Sequence, residues 1–293
     1  MKIAIIGPGA MGTFLAGTLN EDNEVLLIGR RDIPLHDINI TGKTVMRCSV
    51  EYSTDISKLR DRDLVILCTK SYDTRDTMET IAEYVHDTYV LSLQNGLNNE
   101  EIISEFTSRV LGGITSHGFL FQGPGDIVHT GIGKTIIGLY PDGKSGDIED
   151  IGAILNKGRM NTEISDNIKG HIWKKVIINS GINPITALTG LKNGKILERA
   201  YLKELMEKVC HEATAIGRTE VDIPGDPVAE AGEIARSTAE NKSSMLQDVL
   251  QERRTEIDCI TGAVIEVGIK KGMDTQYNRI LYELVKARES SYL

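Results

Sequence analysis

The chain opens Met1-Lys-Ile-Ala-Ile-Ile-Gly7-Pro8-Gly9-Ala10-Met11-Gly12, an apolar run that closes on glycines spaced G-x-G-x-x-G. Few stretches constrain a fold more, because each glycine answers a separate steric demand. Gly7 permits a tight turn after a strand over 3–6, Gly9 lacks the Cβ that would keep a pyrophosphate off the backbone, and Gly12 lets the next helix lie close to the strand. That helix, predicted from Met11 to about Leu19 by the spacing of Met11, Phe14, Leu15 and Leu19, would aim its free N–H groups at the phosphates. An ordinary strand-turn-helix is the plain alternative. Its place at the N-terminus, after an apolar strand and before a helical pattern, favours dinucleotide binding by Gly7, Pro8, Gly9, Ala10, Met11 and Gly12.

At 293 residues the chain is long enough for two domains, each with its own core. The formal net charge of -9 argues against nucleic acid or an anionic membrane as partner. Anionic ligands must therefore be met by locally placed Arg, Lys and backbone N–H groups. No apolar stretch is long enough to span a bilayer, and the glycine motif follows Met1 too closely to leave room for a targeting peptide, so a cytoplasmic protein is expected. Cys48, Cys68, Cys210 and Cys259 form no C-x-x-C pair and the six histidines are scattered, so no metal is expected.

A second apolar strand, Glu24 to Ile28, ends in Gly29-Arg30-Arg31. An acid at this point accepts from the ribose 2′-hydroxyl of NAD, whereas an arginine accommodates the 2′-phosphate of NADP. Arg30 therefore points to NADP, the alternative being a solvated Arg30-Arg31 surface pair. Residues 38–53 suggest an irregular or antiparallel pair turning at Thr41-Gly42. A third strand over 63–68 precedes Lys70, and a fourth over 89–93 precedes Gln94-Asn95-Gly96. In an open parallel sheet ligands collect beyond the carboxyl ends of the strands, so the glycine turn, Arg30, Lys70 and Asn95 should share one crevice. Short β-rich pieces at 111–114, 117–122, 126–130 and 135–138 are expected to complete that sheet, partly antiparallel, followed by a helix over 146–159 and a strand or linker over 162–165.

Beyond 165 the apolar spacing is helical, with runs at 168–188, 200–217, 227–239, 253–271 and 275–288. The expected fold is α/β: a Rossmann-like dinucleotide-binding domain over 1–165, and an all-α domain over 166–293 that carries substrate binding and catalysis. In the helical half Lys175, Asn179 and Asn183 recur at i, i+4 and i+8, forming one polar stripe among Val176, Ile177, Ile178 and Ile182. A polar ligand would satisfy that stripe; a solvated lysine with two asparagines bonded to backbone is the bland alternative. A second constellation, Asn241 to Asp248 followed by Arg253 to Gly262, reads on its own as a helix cap at Ser243 or Ser244 and a first-turn acid at Glu256.

Together the G-x-G-A-M-G turn, Gln94-Asn95-Gly96, the Lys175-x-x-x-Asn179-x-x-x-Asn183-Pro-x-Thr-Ala187 segment and the Ser244-Met-Leu-Gln-Asp... Thr255-Glu256-Ile-Asp258 block resemble the ketopantoate reductase (2-dehydropantoate 2-reductase) family. The resemblance covers nearly the whole chain. It implies an NADP-dependent oxidoreductase that reduces 2-dehydropantoate to pantoate on the route to pantothenate and coenzyme A, with its active site in a cleft between the two domains. By position it implies Lys175 as general acid and Glu256 as its paired carboxylate. Asn179, Asn183, Asn241 and Ser244 become a polar wall for the substrate, Asn95 reaches from the cofactor side, and Arg30, Lys70, Asn95 and Glu256 join the glycine turn as cofactor contacts. The implied partner is a small 2-oxo acid, and a homodimer through the helical half is the expected assembly. A reductase of a different 2-oxo acid, or a non-catalytic NADP-binding sensor, are the rival readings.

Overall fold

The computed structural model describes residues 1–33, 35–143 and 146–293. Its strands are β1 (Lys2–Ile6), β2 (Glu24–Ile28), β3 (Asp37–Gly42), β4 (Met46–Ser49), β5 (Glu51–Ser53), β6 (Leu64–Leu67), β7 (Tyr89–Ser92), β8 (Val110–Thr115), β9 (Gly118–Gly123), β10 (Asp126–Gly131), β11 (Thr135–Leu139) and β12 (Thr162–Ile164). The helices are α1 (Ala10–Leu19), α2 (Thr74–Ile81), α3 (Asn99–Ser104), α4 (Gly146–Lys157), α5 (Ile168–Thr189), α6 (Gly194–Leu197), α7 (Ala200–Gly217), α8 (Pro227–Ser237), α9 (Ser244–Leu250), α10 (Ala263–Lys270) and α11 (Gln276–Glu289). The chain divides into two compact units: Met1–Gln94 with Asn99–Lys169, and Asn95–Asn98 with Gly170–Leu293.

In the first unit the main sheet runs β12-β11-β8-β7-β6-β1-β2-β5. From β5 to β8 every pairing is parallel, and only β11 runs antiparallel to its neighbour β8. Parallel strands are covered on both faces, which is why β1 and β2 are apolar and buried after their first residue rather than alternating. Ile3, Ile5 and Leu27 enter one core with Phe14, Leu15 and Leu19 of α1. Ala4, Ile6 and Leu26 enter the other, with Met78 and Ile81 of α2. Strand order reverses at β1, which lies between β2 and β6 and so creates the switch point where such sheets take their ligands.

Two sequence expectations need correction here. β9 and β10 do not complete the main sheet; they join β3 and β4 in a separate sheet ordered β4-β3-β10-β9, which packs against α1. The 38–53 region turns after Gly42, not at Thr41-Gly42, and its last strand β5 leaves the antiparallel pair to lie parallel to β2.

The second unit is helical. The expected single helix over 253–271 is broken: after an irregular turn the chain makes a wide π turn over Asp258–Gly262 and only then enters α10. A π turn inserts an extra residue into the helical ladder, and apolar spacing does not reveal it.

Candidate active site

The glycine turn is built as its spacing demands. Gly7 has φ +110, and a Cβ there would meet the backbone of Cys68 and Thr69 at 2.8 Å, because β6 runs directly alongside. A Cβ on Gly12 would strike the carbonyl of Gly7. Gly9 differs, with no heavy atom within 4 Å of its Cβ position. It also N-caps α1 without any side-chain hydrogen bond, leaving the first N–H groups of the helix to an external acceptor. Of the three glycines, only Gly9 leaves open the space a Cβ would fill.

Arg30 follows β2 and is exposed, with its guanidinium 3.2 Å from Asp73. Asp73 lies in the short 3-10 turn Ser71–Asp73 that Lys70 initiates after β6. That turn is tied down by the buried Gln94, whose amide donates to Thr69 O at 3.2 Å, Thr69 Oγ1 at 3.0 Å and Thr74 Oγ1 at 2.9 Å. Thr74 in turn donates to Asn99 Oδ1 at 2.8 Å. The first residue of the Gln-Asn-Gly tripeptide therefore orders the loop carrying Lys70, a task its sequence neighbourhood did not disclose.

The next residues leave with the second unit. Asn95 donates to Glu256 Oε2 at 3.0 Å. Gly96, at φ +92, lies so close to Cys259 that a Cβ would come within 2.6 Å of its carbonyl oxygen, and the Leu97 N–H donates to that oxygen at 2.9 Å. Only glycine suits both the backbone angle and the approach. The π turn and the 95–98 loop thus interlock, and Glu256, 5% exposed, is held at their junction.

Within α5 the polar stripe is real. Val176, Ile177, Ile178 and Ile182 are buried, Asn183 is buried, and Lys175 and Asn179 are half-buried. Pro184 has no N–H to give to the Ser180 carbonyl, so the ladder loses a rung beside the stripe. Ser243, not Ser244, is the cap: its hydroxyl accepts from the Leu246 N–H at 3.1 Å and pairs with Thr186 Oγ1 at 2.7 Å. Ser244 is the exposed first residue of α9. Asn241 is half-buried, and its carbonyl accepts from the Asn193 N–H at 3.0 Å. The Asn193 amide donates to Thr238 Oγ1 at 2.9 Å, and its buried Oδ1 meets no donor among the described residues.

Among the described residues no group of His, Cys, Asp and Glu is arranged to hold a metal, and no helix is long and apolar enough to cross a membrane. None of the four cysteines forms a disulfide, and burial pushes the Cys210 thiol up to about 12, which makes it a poor nucleophile.

Comparison with known proteins agrees along the whole length. A 2-dehydropantoate 2-reductase of Pyrococcus horikoshii is 39% identical over 296 residues, covering 99% of this chain and 98% of its own. The crystal structure of a PanE/ApbA family ketopantoate reductase from Ralstonia eutropha JMP134 superposes with a TM-score of 0.90 at 29% identity, covering 100% of this chain and 99% of the other. The ternary structure of D-mandelate dehydrogenase with NADH and anilino(oxo)acetate superposes with a TM-score of 0.92 at 28% identity, again over 100% and 99%. Residues 3–142 match the family model described as Ketopantoate reductase PanE/ApbA, and residues 167–289 match that of its C-terminal part, so the chain belongs to the ketopantoate reductase family.

Proposed function

We propose that the protein is an NADP-dependent 2-dehydropantoate 2-reductase, which forms pantoate for pantothenate and coenzyme A synthesis. In this reading residues 1–165 bind NADPH, through Gly7 to Gly12, Arg30 and Lys70, and residues 166–293 supply the substrate-binding and catalytic groups. The observation that carries it is the buried Glu256 carboxylate bonded by Asn95, in a chain whose relatives bear this name. The open space at Gly9 fits the cofactor's pyrophosphate.

A reduced nicotinamide supplies the hydride when bound. As the C2 ketone gains it, negative charge grows on oxygen, and a cationic donor within hydrogen-bond reach lowers the barrier. Lys175 gives that proton and leaves as the neutral amine, to be recharged from solvent. Glu256 keeps the lysine charged and oriented, and Asn95 fixes the carboxylate. Asn179, Asn183, Asn241 and Ser244 bond the substrate's hydroxyl and carboxylate without adding charge. A cytoplasmic homodimer acting on a free small molecule belongs to the same reading.

A second reading, reduction of another 2-oxo acid with NADH, is favoured by the likeness to D-mandelate dehydrogenase. Steady-state oxidation of NADPH and NADH with 2-dehydropantoate and a panel of 2-oxo acids separates them. Efficient turnover of 2-dehydropantoate with NADPH is expected; preference for an aryl 2-oxo acid would move the substrate, and silence with all of them would leave a cofactor-binding sensor.

A further inference from the structure

The closing helix α11 buries a carboxylate for which the reduction supplies no obvious task. Glu289 is 2% exposed. A carboxylate survives in such a place only when its oxygens are engaged. Oε1 of Glu289 accepts the N–H of the fully buried Thr255 at 2.6 Å, and Oε2 forms an ion pair with the Lys286 ammonium at 3.0 Å without an aligned hydrogen bond among the described residues. The same ammonium reaches Asp258 Oδ2 at 3.1 Å, and Asp258 also accepts from the Tyr282 hydroxyl at 2.9 Å and from Arg254 at 3.1 Å. Helix α11 therefore grips the backbone one residue before Glu256 and the side chain two residues after it.

The segment it grips has little regular structure of its own. It precedes a π turn, where the helical ladder is one residue out of step. It is also bonded to the 95–98 loop, through Asn95 to Glu256 and Leu97 to Cys259. An ion pair spanning Glu289, Lys286 and Asp258 adds stiffness where the ladder adds least.

We propose that Glu289 is a positioning residue for the reduction: by holding the Thr255 N–H it fixes the backbone that carries Glu256, and so fixes the carboxylate that Asn95 bonds. It acts through Glu256 and does not touch substrate. The inference rests on the role proposed for Glu256.

The test is a double-mutant cycle on the full chain, read as kcat/KM for 2-dehydropantoate with NADPH. Glu289→Ala alone is expected to lower kcat/KM about tenfold to hundredfold, the loss that a small misplacement of a catalytic group produces. Glu289→Gln, which keeps an acceptor for the Thr255 N–H, is expected to restore most of the activity. In a Glu256→Gln background, Glu289→Ala is expected to cost no more than about twofold further, since the group it positions is already disabled. Losses that multiply in full, or a Glu289→Ala enzyme as active as the parent, overturn the proposal while leaving Glu256 in place. A Glu256→Gln enzyme with unchanged activity removes the role of Glu256 itself, and this proposal with it. Should Glu289→Ala not fold, Lys286→Met, which removes the shared cation from a half-exposed position, is put through the same cycle under the same criteria.

Discussion

Arg30 and Asp73 face each other at 3.2 Å, joining the loop after β2 to the turn that Lys70 begins. Glu24, nearer in sequence, pairs instead with Arg62 at 2.8 Å. An exposed pair of this kind contributes little to stability and yields readily to a stronger anion. A 2′-phosphate offers Arg30 a charge-assisted bond in its place. Arg30→Ala is expected to lower kcat/KM for NADPH by roughly tenfold to hundredfold while leaving NADH unaffected. Asp73→Asn, which removes the competing acid, is expected to lower KM for NADPH only. Parallel titrations of both cofactors decide it, and an NADPH KM indifferent to Arg30→Ala would place cofactor choice elsewhere.

Two glycines of the turn predict different phenotypes. Gly9→Ala has an ordinary backbone, φ -79, and open space around the new methyl, so its thermal midpoint should stay near that of the parent while nucleotide affinity falls. Gly12→Ala drives a methyl into the Gly7 carbonyl and should destabilise the fold by about 1–3 kcal/mol, the usual cost of overpacking. Thermal melts alongside fluorescence titration with NADPH separate the two effects. Unchanged NADPH binding by a folded Gly9→Ala protein would remove the phosphate from that turn.

Lys175→Ala should lose kcat by about 10²–10⁴-fold, the usual cost of a missing general acid. Cofactor binding should persist, because the lysine lies on α5 and the glycine turn on α1. Single-turnover kinetics with saturating NADPH measure the loss, and a near-normal rate would strip Lys175 of the role.

Acid stability should depend on a buried imidazole pair beside α1. His117 Nδ1 lies 3.0 Å from His129 Nε2, His117 Nε2 lies 3.2 Å from the Met160 carbonyl, and His129 Nδ1 lies 2.9 Å from Thr44 Oγ1. A carbonyl only accepts, so His117 carries its proton on Nε2, accepts from His129 at Nδ1, and leaves His129 Nδ1 to accept from Thr44. Phe14 and Phe119 close the pair in, with ring centroids 4.9 and 5.1 Å from His129. A proton on both rings would set the facing N–H groups donor against donor. Burial holds both pKa values below the ordinary value, and His117 lowers His129 further.

The unfolded chain then binds protons that the folded one refuses, so the stability present above about pH 6.5 is lost as pH falls below it toward the folded pKa values. The loss should approach about 1.4 kcal/mol per histidine per pH unit. Urea titrations across that range measure the slope, and His129→Phe should flatten it. An equal slope in the variant would assign acid sensitivity to the carboxylates.

Local periodicity and local sterics were legible in the chain alone. The continuous apolar run of β1 with its glycines announced a strand, a turn and a helix, because each requirement is met within a dozen residues. The stripe of Lys175, Asn179 and Asn183 was legible because a helix converts a spacing of four into one face. What one face will meet is not written in its spacing. The tertiary structure alone brought Asn95 to Glu256 across 161 residues, chose Asp73 as the partner of Arg30, moved β9 and β10 to a second sheet, broke the 253–271 run at a π turn and set Glu289 against Thr255. Such pairings are settled by which buried polar groups must find partners once the apolar faces have packed, and that demand exists only in three dimensions.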